Sequence, residues 1–218
     1  MSDLYPRLIK GGLVLLDAKS GAIGRTIALQ YNPDSLSRSF QVQGVGGDGG
    51  AERAQPYRLK GPAIETIRFE AEIDATDGLA APGQSPDVVE HGIAPQLAAL
   101  EALINPTADQ LVKLGADLHS GVLEILPPEA PLLLFIWSRS RVLPVRLTDF
   151  SITEEAFDPA LNPIRARVSI SLRVLSTDDL GYEHRGSDIF INHLRGVEAL
   201  ARKNGSGSLS RLGLSGLP

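Results

Sequence analysis

VRLTDFSITEEAFDPALNPIRARVSISLRV, residues 145–174, decides the fold. From Ile164 to Val174 every even-numbered residue is apolar (Ile164, Ala166, Val168, Ile170, Leu172, Val174) and every odd-numbered one is polar (Arg165, Arg167, Ser169, Ser171, Arg173). A period of two held over that length specifies a long strand with one dry face and one wet face. The segment before it begins in the same way with Val145 and Leu147, then slips phase so that Phe150 and Ile152 take the inward positions. A bulge near Thr148 and Asp149 restores the register. Between the two strands, Glu154, Glu155, Asp158, Pro159, Asn162 and Pro163 surround Phe157 and Leu161. Thr153 to Pro163 is too long for a tight hairpin and rich in turn formers, and reads as a shaped connection able to contact a partner. Long strands with a hydrophilic outer face and no chemistry on them point to a building block.

Working outward, Leu13–Leu16 and Thr26–Tyr31 flank Asp17, Lys19, Ser20 and Gly21, the signal of a first hairpin with Ile27, Leu29 and Tyr31 on its dry face. After Asn32, Pro33 and Asp34, the alternation of Leu36, Phe40 and Val42 with Ser37, Ser39, Gln41 and Gln43 predicts a third strand. Ile67, Phe69, Ala71 and Ile73 alternate with Arg68, Glu70 and Glu72 in a fourth, with a charged wet face. Gly44 to Gly61 holds six glycines and Pro56, which marks a mobile loop, and Glu52, Arg53, Tyr57, Arg58 and Lys60 cluster at its far end. A compact domain seldom keeps such a loop without a use for it.

Asp74 to Pro86 reads as a second irregular connection, followed by Leu97, Leu100, Leu103 and Ile104 at helical spacing. Pro95 suits the first turn of that helix, and Asn105 with Pro106 ends it. Thr107–Leu118 continues as a second helical piece weakened by Gly115. Val122–Ile125 and Leu132–Trp137 return to strand. Ile189, Phe190, Leu194, Val197 and Leu200 predict a final helix over Asp188–Lys203, capped by Asp188 or Ser187. Residues 204–218, with Gly205, Gly207, Gly213 and Gly216 among serines and four leucines, form a flexible tail that orders only against a partner.

The 218 residues are enough to bury a sizeable core, and 43% of them are hydrophobic, which excludes disorder throughout. The net charge of -5 is spread in mixed signs along the chain, against the concentrated basic face that nucleic acid requires. The absence of cysteine removes disulfides, thiolate catalysis and thiolate-ligated zinc together. Residues 1–10 carry Asp3 and Pro6 and no apolar core of signal-peptide length, so cytoplasmic synthesis is expected. The longest apolar run, Ala130–Trp137, falls far short of the ~20 residues of a membrane span.

Candidate chemistry is sparse. Glu154 and Glu155 are the one carboxylate pair worth weighing as general acid and base, but neighbours on a strand point to opposite faces and do not flank one bond. A solvated acidic turn is the better reading. His91, His119, His184 and His193 are scattered without metal-ligand spacing. No GxSxG elbow joins a strand to a helix, and Gly44–Gly50 lacks the lysine and hydroxyl of a phosphate loop. Trp137 beside Phe135 suggests a sugar platform, though their apolar surroundings favour core packing. No cofactor or metal is expected.

Several blocks are similar to those of a known family. They are LIKGGLV at 8–14, LQYNP at 29–33, RLKGP at 58–62, AEIDATD at 71–77, PQLAAL at 95–100 and FSITEEAFD at 150–158, continuing through LNPIRA at 161–166, DLG at 179–181 and HRG at 184–186. Together they resemble the tube-like domain, often linked to a LysM module, of contractile injection system baseplate and tube-initiator proteins, over residues 7 to 200. The resemblance implies a mainly β fold with helices, a β-rich α+β class in which two packed antiparallel sheets form a tail-tube-like barrel or sandwich with a flanking helix. It implies residues 1–203 as the tube-like domain, with 204–218 as a Gly/Ser/Leu tail where relatives continue into LysM.

The same resemblance implies a structural subunit of a phage-tail-like particle. Its copies would form a hexameric ring that joins the spike or hub protein to the inner-tube and baseplate proteins and templates tube assembly. Neither nucleic acid nor direct membrane insertion is involved, and the assembled particle is either released or membrane-associated. The assembly contacts expected are Glu52, Arg53, Tyr57, Arg58, Lys60, Glu154, Glu155 and Phe157. Three alternatives stand beside it: the main inner-tube subunit, a ligand-binding β-barrel module using Trp137, and, least favoured, a carbohydrate hydrolase using Glu154 or Glu155.

Overall fold

Residues 145–174 form the centre of one seven-stranded antiparallel sheet, in the order β2-β1-β5-β6-β7-β4-β3. A computed structural model describes residues 8–44, 58–119, 130–204 and 209–216. The strands are β1 (Gly12–Leu16), β2 (Ile23–Ala28), β3 (Ser37–Gln41), β4 (Ile64–Asp74), β5 (Leu132–Ser138), β6 (Arg141–Phe157) and β7 (Pro163–Val174). Between β4 and β5 lie the helices α1 (Thr76–Ala80), α2 (Pro86–His91), α3 (Ala94–Glu101) and α4 (Ala108–His119); α5 (Thr177–Leu180) and α6 (Arg185–Lys203) follow β7.

The phase slip in β6 is a bulge where the alternation places it. Leu147 pairs with Leu172 and Asp149 with Ser171, leaving Thr148 as the extra residue. Its hydroxyl donates to the Ser171 carbonyl at 3.2 Å, which fastens the kinked strand to its neighbour. Phe150 and Ile152 consequently pack against the buried core. Along β7 the even positions Ala166, Val168, Ile170, Leu172 and Val174 are buried, and so are Ile67, Phe69, Ala71 and Ile73 of β4. Each large side chain taken fully out of water there contributes ~1.5 to 3 kcal/mol.

The expected pair of packed sheets is one sheet, and the barrel is not closed. The cause is the length of β6. Its first residues, Arg141–Val145, pair with β5, and from Val145 onward it pairs with β7, so both halves share one continuous strand. The sheet nevertheless curls. Strands β5 and β4 are three steps apart, ~14 Å in a flat sheet, yet the rings of Phe135 and Phe69 stack with centroids 5.5 Å apart. Past the end of β2, the Gln30 side-chain amide donates to the Asp74 carbonyl at 2.8 Å and accepts the Asp74 N–H at 3.0 Å, standing in for a strand at the tip of β4.

The expected single flanking helix is a set. Ile93, Leu97 and Leu100 join the core of the curled sheet, and the Ile93 N–H donates to the Pro163 carbonyl at 2.8 Å, seating the helical segment at the β6–β7 turn. The connection expected to be irregular between Asp74 and Pro86 contains α1 and a 3-10 turn, Pro82–Gln84. On the other side of β1 and β5, Val14, Leu16, Leu132 and Leu134 make a second apolar cluster packed by Ile189 of α6.

Helix α6 begins three residues before the expected start, and its cap is His184, whose Nδ1 accepts the Gly186 N–H at 3.0 Å. Ser187 is unavailable as a cap because its buried hydroxyl donates to the Gly181 carbonyl. Tyr31, Phe40 and Val42, expected on dry faces, stand largely in solvent. Val122–Ile125 lies outside the described residues, and within the tail Leu209–Leu212 forms a 3-10 turn.

Candidate assembly surface

Of the eight residues expected at an assembly interface, Glu52, Arg53 and Tyr57 lie outside the described residues, as does most of the Gly44–Gly61 loop. The other five fall into two groups that the fold keeps apart. Arg58 and Lys60 are exposed on a ribbon that extends the β3–β4 hairpin, held by a bridge between Gly44 and Leu59 and by Lys60 N–H donating to the Gln43 carbonyl at 2.9 Å. Glu154, Glu155 and Phe157 lie on β6 near the β6–β7 turn. The ladder runs from Thr66–Arg173 at the first end to Asp74–Arg165 at the second, so the groups sit ~30 Å apart along the strands.

The turn itself is shorter than expected because β6 remains paired as far as Phe157 opposite Pro163. Only residues 158–162 turn, and Asp158 organises them. Its Oδ1 accepts the backbone N–H groups of Ala160 and Asn162, both at 2.8 Å, and its Oδ2 accepts the Asn162 side-chain amide at 2.8 Å. These donors, the Asn162 amide first, hold the Asp158 carboxyl below its ordinary range. The Asn162 amide also donates to the Glu90 carbonyl at 3.0 Å, which fixes the turn to α2.

The product of this rigid turn is an apolar tip. Leu161 adopts φ +66, a left-handed conformation uncommon outside glycine, and its side chain is 79% exposed. Phe157 beside it in the hairpin is 49% exposed. The sequence marked Phe157 as an expected contact, and the structure shows it half exposed; the exposure and left-handed backbone of Leu161 had no such mark, because an isolated leucine between turn formers carries no signal of its own conformation.

Three arginines of the wet face are ion-paired. Arg165 pairs with Asp74 at 2.7 Å, Arg167 with Glu155 at 3.3 Å and Arg173 with Asp179 at 2.7 Å. The hydrogen bond to Asp74 raises the Arg165 guanidinium further above its ordinary value. Glu155 stands at a second irregularity in β6, between the pairs Glu154–Ala166 and Ala156–Arg165, and its partner is a structural arginine. An open groove of about 650 Å³ runs along this face, walled by Tyr31–Ser35 and floored by Arg68, Glu70, Glu72, Arg167 and Ser169. Trp137 and Phe135 belong to the core, with ring centroids 5.9 Å apart and Phe135 wholly buried.

Among the described residues no further strand pairs with either edge of the sheet. Strand β2 is exposed along nearly all its length, including Ile23, and β3 exposes Phe40, over whose ring the Arg38 guanidinium sits at 4.9 Å. Among the described residues no group of three or more His, Asp or Glu side chains is placed to hold a metal, and no helix is long and apolar enough to cross a membrane.

No family model and no curated protein matches the chain. Two solved structures show a weak likeness, each at 12% identity over 75% of this chain and 90% of the other. One is the tail of an empty gene transfer agent particle computed with helical refinement in C6 symmetry, with a TM-score of 0.29; the second is the virion of a native gene transfer agent particle, with a TM-score of 0.28. Scores of that size bear on neither fold nor function.

Proposed function

We propose that the chain is a noncatalytic ring subunit of a phage-tail-like contractile injection particle, placed between the spike-bearing hub and the inner tube. The observation that carries this reading is a curled sheet left open with apolar groups on both free edges. Ile23 on β2 and Phe40 on β3 are more than half exposed, and an uncovered edge of that kind is a site for pairing with another chain. Edge-to-edge joining of identical copies covers both edges at once and closes into a ring.

The mechanism is templating. Arg58 and Lys60 at one end of the long strands, and Phe157 with Leu161 at the other, give the subunit a separate contact for a neighbour above and below. The wet face of β4 and β7, with Arg165, Arg167 and Arg173 ion-paired, suits a channel wall that presents polar groups to passing cargo. A ligand-binding barrel is less well supported, since Phe69 and Phe135 stack in the interior such a barrel would hollow out. Electron microscopy of particles carrying this subunit with a label tests the proposal. One labelled ring per particle at the hub–tube junction is expected. Label along the whole tube would make the chain the main tube subunit, and unlabelled particles would overturn the reading.

A further inference from the structure

Among the described residues Glu65 is the one charged side chain that the core buries, and it accepts a hydrogen bond from Arg38 Nε at 2.5 Å. Two more groups converge on that pair. Glu65 stands two residues before Ile67 on β4, Arg141 two before Leu143 on β6, and His193 one helical turn after Phe190 on α6. Ile67, Leu143 and Phe190 all belong to the buried core, and the periods of strand and helix set each group on the face of its core neighbour. Arg38 comes from β3, where it pairs with Ile67. The His193 ring feels the charges of Glu65, Arg38 and Arg141, as Arg141 feels those of Arg38 and Glu65. Strands β3, β4 and β6 and helix α6 therefore meet at one carboxylate and two guanidinium groups.

A proton on His193 is poorly accommodated there. The Nδ1 atom is buried with no hydrogen-bond partner among the described residues. Imidazolium donates from both ring nitrogens, so charging the ring would bury an unpaired N–H and set a third cation around one carboxylate. Burial is the first cause that holds the ring less basic than an ordinary histidine; the Ser140 backbone and Glu65 pull the other way, and Arg38 and Arg141 reinforce the burial. Beyond Phe190 the helix is loosely held, since Leu194, Val197 and Leu200 are 40%, 45% and 55% exposed. We propose that His193 is an acid-released latch: the neutral ring lets α6 lie across the Arg38–Glu65–Arg141 junction, and protonation frees the helix beyond Phe190. A histidine that resists its proton when docked and accepts it normally once released costs nothing above the ordinary value of 6.5, and favours release increasingly as pH falls below it. Opening a weakly held helix end takes less free energy than global unfolding. The latch belongs to the single chain and is independent of the ring reading.

The full-length chain has four histidines, few enough to titrate one by one by NMR, and hydrogen exchange between pH 7.5 and 5, corrected for the intrinsic rates, follows the helix. His193 should titrate below 6.5. Protection of the α6 amides beyond Phe190 should fall severalfold over that range while the amides of β6 and β7 hold. In His193→Gln the same amides should stay protected, because no proton is taken up. Arg141→Gln should move the His193 titration up towards 6.5 and reduce the loss, because one of the two opposing cations is gone. His184 caps the same helix and titrates in the same range, so His184→Ser, which keeps a capping oxygen, is the control and should leave the loss in place. A His193 titration at or above 6.5, a loss of protection unchanged in His193→Gln, or a loss abolished by His184→Ser would overturn the latch. If His193→Gln fails to fold, Arg141→Gln decides alone: an upward shift with a smaller loss supports the latch, and an unmoved titration sinks it.

Discussion

Asp74 joins four segments of the chain. Its backbone is held by Gln30, and its carboxylate accepts the Thr76 hydroxyl, the Thr76 N–H and the Arg165 guanidinium. Those bonds, the Thr76 hydroxyl first, lower its pKa from 3.8 to about 2. A carboxyl more acidic in the folded state stabilises it fully above the unfolded value, and the contribution is lost as pH falls from 4 towards 2. Denaturant titrations across that range should show wild-type stability falling more steeply than that of Asp74→Asn, with the gap closing near pH 2; parallel curves would refute this assignment. Leu161 makes the opposite trade. Its left-handed backbone costs ~1 kcal/mol, and glycine would remove that cost. Leu161→Gly should therefore raise stability by no more than ~0.5 kcal/mol after the added chain entropy while reducing ring yield, because the apolar tip is gone. A variant both more stable and fully competent in assembly would show that the tip is not a contact.

At the scale of elements, β6 was half legible. Its bulge follows from the alternation, because Leu147 and Phe150 both require the dry face and are separated by an odd number of positions. Its last five residues were not legible. Thr153, Glu154 and Glu155 are all exposed, so the hydrophobic alternation ends at Ile152 although the backbone pairing continues to Phe157. Strands β4 and β5 and helix α3 were readable because each has a buried face, whereas α1 buries no residue and left no pattern to read. The bulge supports a sharp contrast. Deleting Thr148 keeps Leu147, Phe150 and Ile152 on one face, and should cost a few degrees of melting temperature with the fold intact. Deleting Ser151 puts Phe150 and Ile152 on opposite faces and should abolish cooperative unfolding. Thermal melts followed by Trp137 fluorescence compare the two, and equal losses would mean that Thr148 is not the extra residue.

The curl of the whole sheet was not legible, because it depends on contacts between residues far apart in sequence. Phe69 and Phe135 each read as ordinary inward positions, and only the curl stacks them. Two packed sheets, which the family resemblance implied, would satisfy the same alternation. What distinguishes the open curl is a strand edge closed by a side chain: Gln30 supplies one donor and one acceptor to the backbone of Asp74, in the pattern a neighbouring residue in a sheet would provide. If that tie holds the first hairpin against β4, Gln30→Ala leaves a part-buried N–H and carbonyl without partners and should cost ~1 to 3 kcal/mol. Gln30→Glu keeps the acceptor but turns a carboxylate towards the Asp74 carbonyl and the Asp74 side chain, so it should be the worse of the two at pH 7. Acidifying to pH 4 should narrow that difference as the introduced carboxyl gains a proton and can donate again. Hydrogen exchange at the Asp74 amide reports the tie directly. Faster exchange there in both variants, with β6 and β7 still protected, is expected of a curl that loosens at its seam, and unchanged exchange would mean that the core stack alone sets the curvature.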